Sequence, residues 1–421
     1  MERFSIVGPS RLSGRVRASG AKNAALPALA ATLLTDGEVV LSRLPRVRDI
    51  RTMQRLLDHL GVEAEERGDD FAFRRVGAGG NADDAPYDLV KTMRASVLVL
   101  GPLLTRLGHA RVSLPGGCAI GVRPIDQHLK GLAAMGAEVT ISHGYVDTHC
   151  AKLQGARFRF DLQTVTGTEN LVMAACLAEG TTILENCACE PEVVDLVRLL
   201  VAMGARIEGA GTTTIEIEGV KALGDARHEI IADRIEGGTY LIGAALTGGD
   251  VLLEGADAAD LAPVLDKLAE VGATVTVDAA GIRVSSAGEL EARDIDTEPH
   301  PGFPTDLQAQ SMALMTQARG VATIREHVFE NRFQHAPELA RMGADIRVEG
   351  HTAQVHGPTK LSAATVMATD LRASACLVLA GVVAEGETIV DRIYHLDRGY
   401  EGMELKLQSL GAQVSRVPGP P

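Results

Sequence analysis

Apolar stretches with helical spacing recur along the chain, and each closes on a glycine followed by a short alternating segment. LGVEA with Gly61, MGAEVTI with Gly136, MGARIEG with Gly204, VGATVTV with Gly272, MGADIRV with Gly343 and LGAQVSR with Gly411 lie 75, 68, 68, 71 and 68 residues apart. Glycine after an apolar-periodic run is the common left-handed helix stop, and alternation beyond it predicts a strand. A second series, Gly37, Gly108, Gly180, Gly249, Gly320 and Gly386, runs ahead of the first at intervals of 71, 72, 69, 71 and 66. It too separates an apolar stretch from a strand-like run, as in LAEGTTILEN and VAEGETIVDR. Two registers therefore agree on six units of about 70 residues.

Each unit reads helix, glycine, strand, loop, helix, glycine, strand, then further strands. Two helices and a small sheet cannot enclose a core alone. The period exceeds that of ordinary solenoids, and three units make a domain of comfortable size. The pattern thus predicts an α/β protein of two domains with three units each, the seam falling near 220–232. It leaves open whether the sheets are antiparallel or mixed.

Composition narrows the function. Aromatics make up 3% of the 421 residues and Trp is absent, which argues against base-stacking platforms for nucleic acid. The net charge of −14 disfavours a general polyanion binder, though not a local basic pocket. The start, MERFSIVGPS, has no basic segment leading into an apolar one, so no secretory signal is expected. The apolar stretches 24–34 and 375–384 are too short to span a bilayer. Cys118, Cys150, Cys176, Cys187, Cys189 and Cys376 show neither a CxxC pair nor zinc-finger spacing, so reduced thiols in a cytoplasm are expected.

The first helix of each unit opens on a polar cluster: SGAKNAALP, VKTMRASV, TVTGTENL, ADRIEGGTY, FPTDLQAQ and ATDLRASA. Asp, Thr and Asn there read as N-caps. Lys22, Arg94, Arg234 and Arg372 instead oppose the helix dipole, an arrangement that makes sense beside an anionic ligand. Together these starts point to a cleft for a substrate rich in phosphate or carboxylate.

Four segments carry candidate chemistry. SLPGGCAIGVRPIDQHLK (113–130) presents Cys118 on a glycine-rich loop with Arg123 and His128 close behind. Cations lower a thiol's pKa and make it reactive; the alternative is a small buried cysteine at a tight turn. Cys150, Cys176 and Cys376 sit among apolar residues and read as core, and Cys187 with Cys189 lacks further metal ligands. TEPHPGFPTDLQAQ (297–310) brings Asp306 to a helix start, as N-cap or as general base. EHVFENRFQH (326–335) and DRIYHLDRGY (391–400) are strand-end loops whose arginine forks suit carboxylate or phosphate, or else are solvated charged loops. The phosphate motifs GxxxxGK[ST] and strand-linked GxGxxG are missing.

SGAKNAALP, PYDLVKTMRAS, SLPGGCAIGVRP, PHPGFPTD, VFENRF, ATDLRASA and DRIYHLDRGY resemble the UDP-N-acetylglucosamine 1-carboxyvinyltransferase (MurA) family of bacterial peptidoglycan synthesis, from Arg3 to about Val417. The resemblance implies the inside-out α/β barrel of the enolpyruvyl transferases, two similar domains of three βαβαββ-like repeats with the ligands between them. It implies a discontinuous domain, 1–21 plus 232–421, and a second, 22–231, carrying the Cys118 loop. The implied reaction moves enolpyruvyl from phosphoenolpyruvate to the 3′-hydroxyl of UDP-N-acetylglucosamine and releases phosphate, through a tetrahedral ketal.

By similarity Cys118 protonates C3, forms an adduct with phosphoenolpyruvate and is the target of the epoxide fosfomycin. Asp306 handles the 3′-hydroxyl proton, and Lys22 and Arg398 complete the catalytic set. Lys22, Asn23, Arg123, Asp370, Arg372 and Arg398 match phosphoenolpyruvate positions. Asn23, Arg94, Arg123, Pro124, Ile125, Asp126, Gln127, Gln163, Thr164, Val165, Thr166, Gly167, Asp306 and Val328 match those around UDP-N-acetylglucosamine. The Cys118 loop is expected to close over the ligands, excluding water. No metal site, organic cofactor or obligate protein partner is visible in the sequence, and neither nucleic acid nor a membrane is expected as a partner.

Two departures stand out. Where the family often has Lys-x-Ser-Val-Gly to meet the nucleotide phosphates, this chain has Gln163-Thr164-Val165-Thr166-Gly167, which weakens nucleotide binding unless Thr166 and helix-end N–H groups compensate. Cys189 stands where Arg is common before Glu190-Pro191-Glu192, which puts a local salt bridge in doubt. The competing readings are 5-enolpyruvylshikimate-3-phosphate synthase, which lacks the PGGC loop, and a silent UDP-N-acetylglucosamine sensor, against which every catalytic position is present. A redox switch on Cys118 leaves the helix starts unexplained.

Overall fold

A computed structural model describes residues 2–76, 83–91, 93–114 and 125–419. Their contacts divide into two units, one of 2–19 with 232–419, the other of 20–114 with 125–231. Each unit has its own apolar core.

The described residues form six four-stranded sheets, all on one mixed plan. In one of them Asp84–Ala85 runs parallel to His109–Ser113, which pairs antiparallel with Tyr145–His149, itself antiparallel to Glu138–Ser142. A helix crosses between the two parallel strands and a second helix precedes the hairpin, as parallel pairing requires. Each sheet shows one face to its core: along Thr214–Glu218 only the two isoleucines are buried.

Three sheets borrow a strand from far along the chain. Glu2–Gly8 completes the sheet of Gly386–Asp391 and Gln413–Pro418. Ser13–Arg17 lies parallel to Asp250–Glu254, and Ala226–Glu229 lies parallel to Val39–Ser42.

The crossover helices fill the interiors. Lys22–Ala31, Leu100–Leu107 and Val165–Ala175 form the inner set of one unit; Arg234–Leu246, Gln308–Met315 and Leu371–Val383 form that of the other. They are buried nearly all round and pack on one another. Several of the other helices bury one side only. Arg48–His59, for instance, buries Ile50, Met53, Leu56 and Leu57 on one face.

The first glycine series all adopts the left-handed backbone foreseen, from φ 84° at Gly61 to 106° at Gly204. In the second series Gly37 and Gly249 do not. They are glycines for another reason: a Cβ on Gly249 would sit 2.0 Å from the Leu12 carbonyl oxygen, and one on Gly37 2.2 Å from Asp225 Oδ1. These are the two units whose leading strand is borrowed, and the incoming backbone passes against the glycine. Among the described residues no helix is long and apolar enough to cross a membrane.

Candidate functional site

In the unit of 2–19 and 232–419, the chemistry gathers at the starts of two inner helices. Asp306 lies in the one-turn helix Thr305–Leu307 and caps neither it nor the helix that follows, which removes the N-cap alternative. Instead Asp306 Oδ1 accepts from Arg332 Nη2 at 2.7 Å, and Oδ2 accepts from Arg372 Nε at 3.1 Å and Nη2 at 2.8 Å. Both guanidiniums are buried, while a quarter of the Asp306 side chain is open. Burial opposes its charge, but Arg372 and Arg332 outweigh that and hold the carboxyl well below the usual carboxylate range. The remaining Nη1 of each arginine is buried without a partner among the described residues. Two donors are thus left over where an anion would satisfy them.

Several residues hold this cluster in place. Asp370 caps the helix Leu371–Val383 by accepting from Arg372 N at 2.8 Å and Ala373 N at 3.0 Å. The Tyr400 ring lies 5.5 Å from the Arg372 guanidinium. Its hydroxyl meets Thr239 Oγ1 at 2.9 Å and Gln310 Nε2 at 3.1 Å, tying two inner helices to that arginine. Glu326 accepts from Thr305 Oγ1 and from the backbone of Val328 and Phe329, so the 326–335 segment is anchored rather than solvated. Arg332 and His335 within it are buried. Burial, with Arg332 nearby, pushes the His335 imidazole down to about 4 despite Asp370. Val328 is exposed, and Arg398 ends the helix Ile393–Arg398, half-buried.

In the other unit Lys22 opens its inner helix with Nζ 3.5 Å from Asp49 Oδ2, so this cation has a buried counter-charge as well as a helix start. Asn23 follows it, half-buried. Arg94 opens the helix Arg94–Val99. Ile125 and Asp126 stand at the start of the helix Asp126–Ala134. Gln127 donates to Asp126 and Asp161, with Lys130 2.6 Å from Asp161. Thr164 caps the helix Val165–Ala175 by accepting from Gly167 N at 3.2 Å. Gln163 Nε2 donates to the Cys187 carbonyl at 3.2 Å.

Cys118, Arg123 and Pro124 lie outside the described residues. Two expectations are corrected. His128 is no cation: it is 1% exposed, and burial with Arg94 nearby pushes its imidazole down to about 3. Cys150 is half-buried with its thiol on the Gly136 carbonyl, whereas Cys176 and Cys376 are core. Arg332 was not singled out from the sequence. Its signal was an arginine within VFENRF, but its partner sits 26 residues away. Among the described residues no group of His, Cys, Asp and Glu could hold a metal ion.

Comparison with known proteins follows the same lines. Residues 6–407 match the model of the family described as EPSP synthase (3-phosphoshikimate 1-carboxyvinyltransferase). A UDP-N-acetylglucosamine 1-carboxyvinyltransferase of Sorangium cellulosum is 59% identical, covering 100% of this chain and 99% of that protein. One of Koribacter versatilis is 55% identical, covering 99% and 97%. Among solved structures, the enolpyruvyl transferase NikO from Streptomyces tendae superposes with a TM-score of 0.89 at 28% identity, covering 100% of this chain and 99% of its own. An EPSP synthase from Acinetobacter baumannii, at 20% identity and a TM-score of 0.74, shares the fold.

Proposed function

The chain belongs to the EPSP synthase family and, within it, to the UDP-N-acetylglucosamine 1-carboxyvinyltransferases, and on that premise we propose that it transfers enolpyruvyl from phosphoenolpyruvate to the 3′-hydroxyl of UDP-N-acetylglucosamine. The 3′-oxygen attacks C2 as C3 takes a proton, giving a tetrahedral ketal. Loss of a C3 proton and of phosphate then restores the double bond. Cys118 is the acid that protonates C3, and Lys22, Arg123, Arg372 and Arg398 hold the phosphate and carboxylate. Arg94, the 125–127 and 163–167 segments and Val328 hold the nucleotide sugar.

The observation that carries this reading is the Asp306 carboxylate under two buried guanidiniums, each with a spare donor. Held so, Asp306 is ionised but weakly basic. An arriving phosphoenolpyruvate that draws Arg372 to itself removes half of that support, so the carboxylate becomes a better base for the 3′-hydroxyl when the substrate is present. The step opens peptidoglycan synthesis in the cytoplasm, feeding wall growth and division, and fosfomycin alkylates Cys118.

The test is phosphate release from phosphoenolpyruvate with and without UDP-N-acetylglucosamine. We expect release only with the nucleotide sugar, falling by roughly 10²–10⁴-fold in Cys118→Ala. Release that survives the substitution moves the acid elsewhere. Nucleotide binding without release makes the chain a sensor.

A further inference from the structure

We infer that His128 is a positioning residue for the nucleotide substrate: it donates Nε2–H to Thr166 Oγ1 and so leaves the Thr166 hydroxyl proton to be given to a phosphate oxygen. The inference rests on the reading above that UDP-N-acetylglucosamine is the substrate.

The deduction starts from a backbone amide. Gly101 N donates to Asn170 Oδ1 at 2.7 Å, and Asn170 Nδ2 faces the Val97 carbonyl at 3.4 Å. Both contacts fix which end of the Asn170 amide is oxygen. A Cβ on Gly101 would lie 2.4 Å from that oxygen, so glycine is what lets the contact form. Asn170 Nδ2 then donates to His128 Nδ1 at 2.8 Å. A ring nitrogen that accepts carries no proton, so the neutral ring bears it on Nε2, 3.3 Å from Thr166 Oγ1. A cationic ring would set Nδ1–H against the amide N–H; burial and nearby Arg94 oppose it too. Asn170 and His128 are almost wholly buried, so water does not offer the ring another arrangement.

Thr166, in contrast, is half-buried in the first turn of its helix. Its oxygen accepts from His128, and among the described residues its hydroxyl proton meets no second partner. That proton is directed to an acceptor outside the relay. Against the Lys-x-Ser-Val-Gly pattern of the resemblance, this chain has Gln163 for Lys, Val165 for Ser and Thr166 for Val. Gln163 spends its amide on Cys187. Since Val165 stands where that pattern has Ser, an ammonium donor is lost and the hydroxyl moves one residue along to Thr166, where His128 aims it.

Binding and turnover of the full-length enzyme test this. Thr166→Val should weaken UDP-N-acetylglucosamine binding roughly 10–100-fold, as for loss of a hydrogen bond to a charged group, raising KM more than it lowers kcat. His128→Phe should cost a similar factor, and the double variant no more than the worse single one. Factors that multiply in the double variant would mean that His128 supports the fold rather than Thr166, and would overturn the proposal. Gln163→Lys added to Thr166→Val should recover affinity; failure to recover counts against this rearrangement of donors. UDP should lose the same factor as the full substrate and uridine none; an equal loss for uridine would take the contact away from phosphate. Nitrogen-15 NMR of wild-type histidines checks the tautomer without any variant, and an Nδ1–H ring at His128 would refute the relay. If the wild type neither binds UDP-N-acetylglucosamine nor releases phosphate, the functional reading fails while the tautomer still stands.

Discussion

Around Asp306 the polar groups are ionic and donors outnumber acceptors, whereas the relay through His128 is built of neutral groups and each of its donors but the Thr166 hydroxyl meets an acceptor. Both clusters sit at the starts of inner helices. The first can exchange partners: an anion that takes Arg372 leaves Asp306 with Arg332, and the spare Nη1 donors wait for it. The second cannot change without inverting a tautomer. A centre where charge moves during reaction benefits from the first kind of construction. A contact that should stay constant through the cycle benefits from the second.

The largest effect should come from breaking the ionic cluster. Arg372→Ala should lower kcat/KM by roughly 10²–10³-fold, as for removal of one preorganised donor. It should also destabilise the fold by about 3 kcal/mol, since breaking a buried pair leaves Asp306 short of a counter-charge; urea unfolding would measure this. Arg372→Lys should recover stability better than rate, because an ammonium lacks the fork that Asp306 accepts from. Full activity in Arg372→Ala would remove the cluster from the reaction.

Asp306→Asn should come next, with a rate loss on the order of 10²-fold and a signature in acid. The carboxyl's folded-state pKa is depressed. Its contribution to stability is therefore complete above the unfolded value of about 3.9 and is lost as pH falls through the folded value. Wild type should lose stability steeply on acidification below about pH 4, and the variant less so. Equal acid curves would mean that the guanidiniums do not hold the carboxylate. By the same sign, the free enzyme's rate profile between pH 6 and 8 cannot belong to Asp306.

What could be read in the sequence was whatever a few neighbouring residues decide. The first glycine series was legible because a missing Cβ is required locally, at a left-handed helix stop. The caps at Thr164, Asp233 and Asp370 were legible because each bonds two or three residues ahead. The partners of Lys22 and Arg372 were not, since Asp49 and Asp306 come from other helices. Arg332 was passed over for the same reason. His128 is not the cation that its place behind Cys118 suggests, because its burial comes from packing against Asn170 and Thr166 rather than from local sequence. The borrowed strands Glu2–Gly8, Ser13–Arg17 and Ala226–Glu229 carry an ordinary strand pattern that says nothing of which sheet they join.

The smallest effect sets two histidines of one unit against each other. His109 lies on the surface, with Nδ1 2.8 Å from Asp83 and Nε2 3.1 Å from Asp147. Its hydrogen bond to Asp83 and its contact with Asp147 raise its pKa against a smaller opposing effect of burial, the reverse of His128. The stabilisation is then complete below the unfolded value of about 6.5 and fades as pH rises through the higher folded value. His109 is about a third exposed, so His109→Gln should cost less than about 1 kcal/mol at pH 6 and nothing measurable at pH 9. Molar salt should erase that difference, because screening reaches exposed charges. The neutral relay through His128 holds no ion pair, so salt should leave its tautomer unchanged. A His128 signal that shifts with salt as His109 does would mean that its ring is charged and open to solvent, and the contrast between the two constructions would fail.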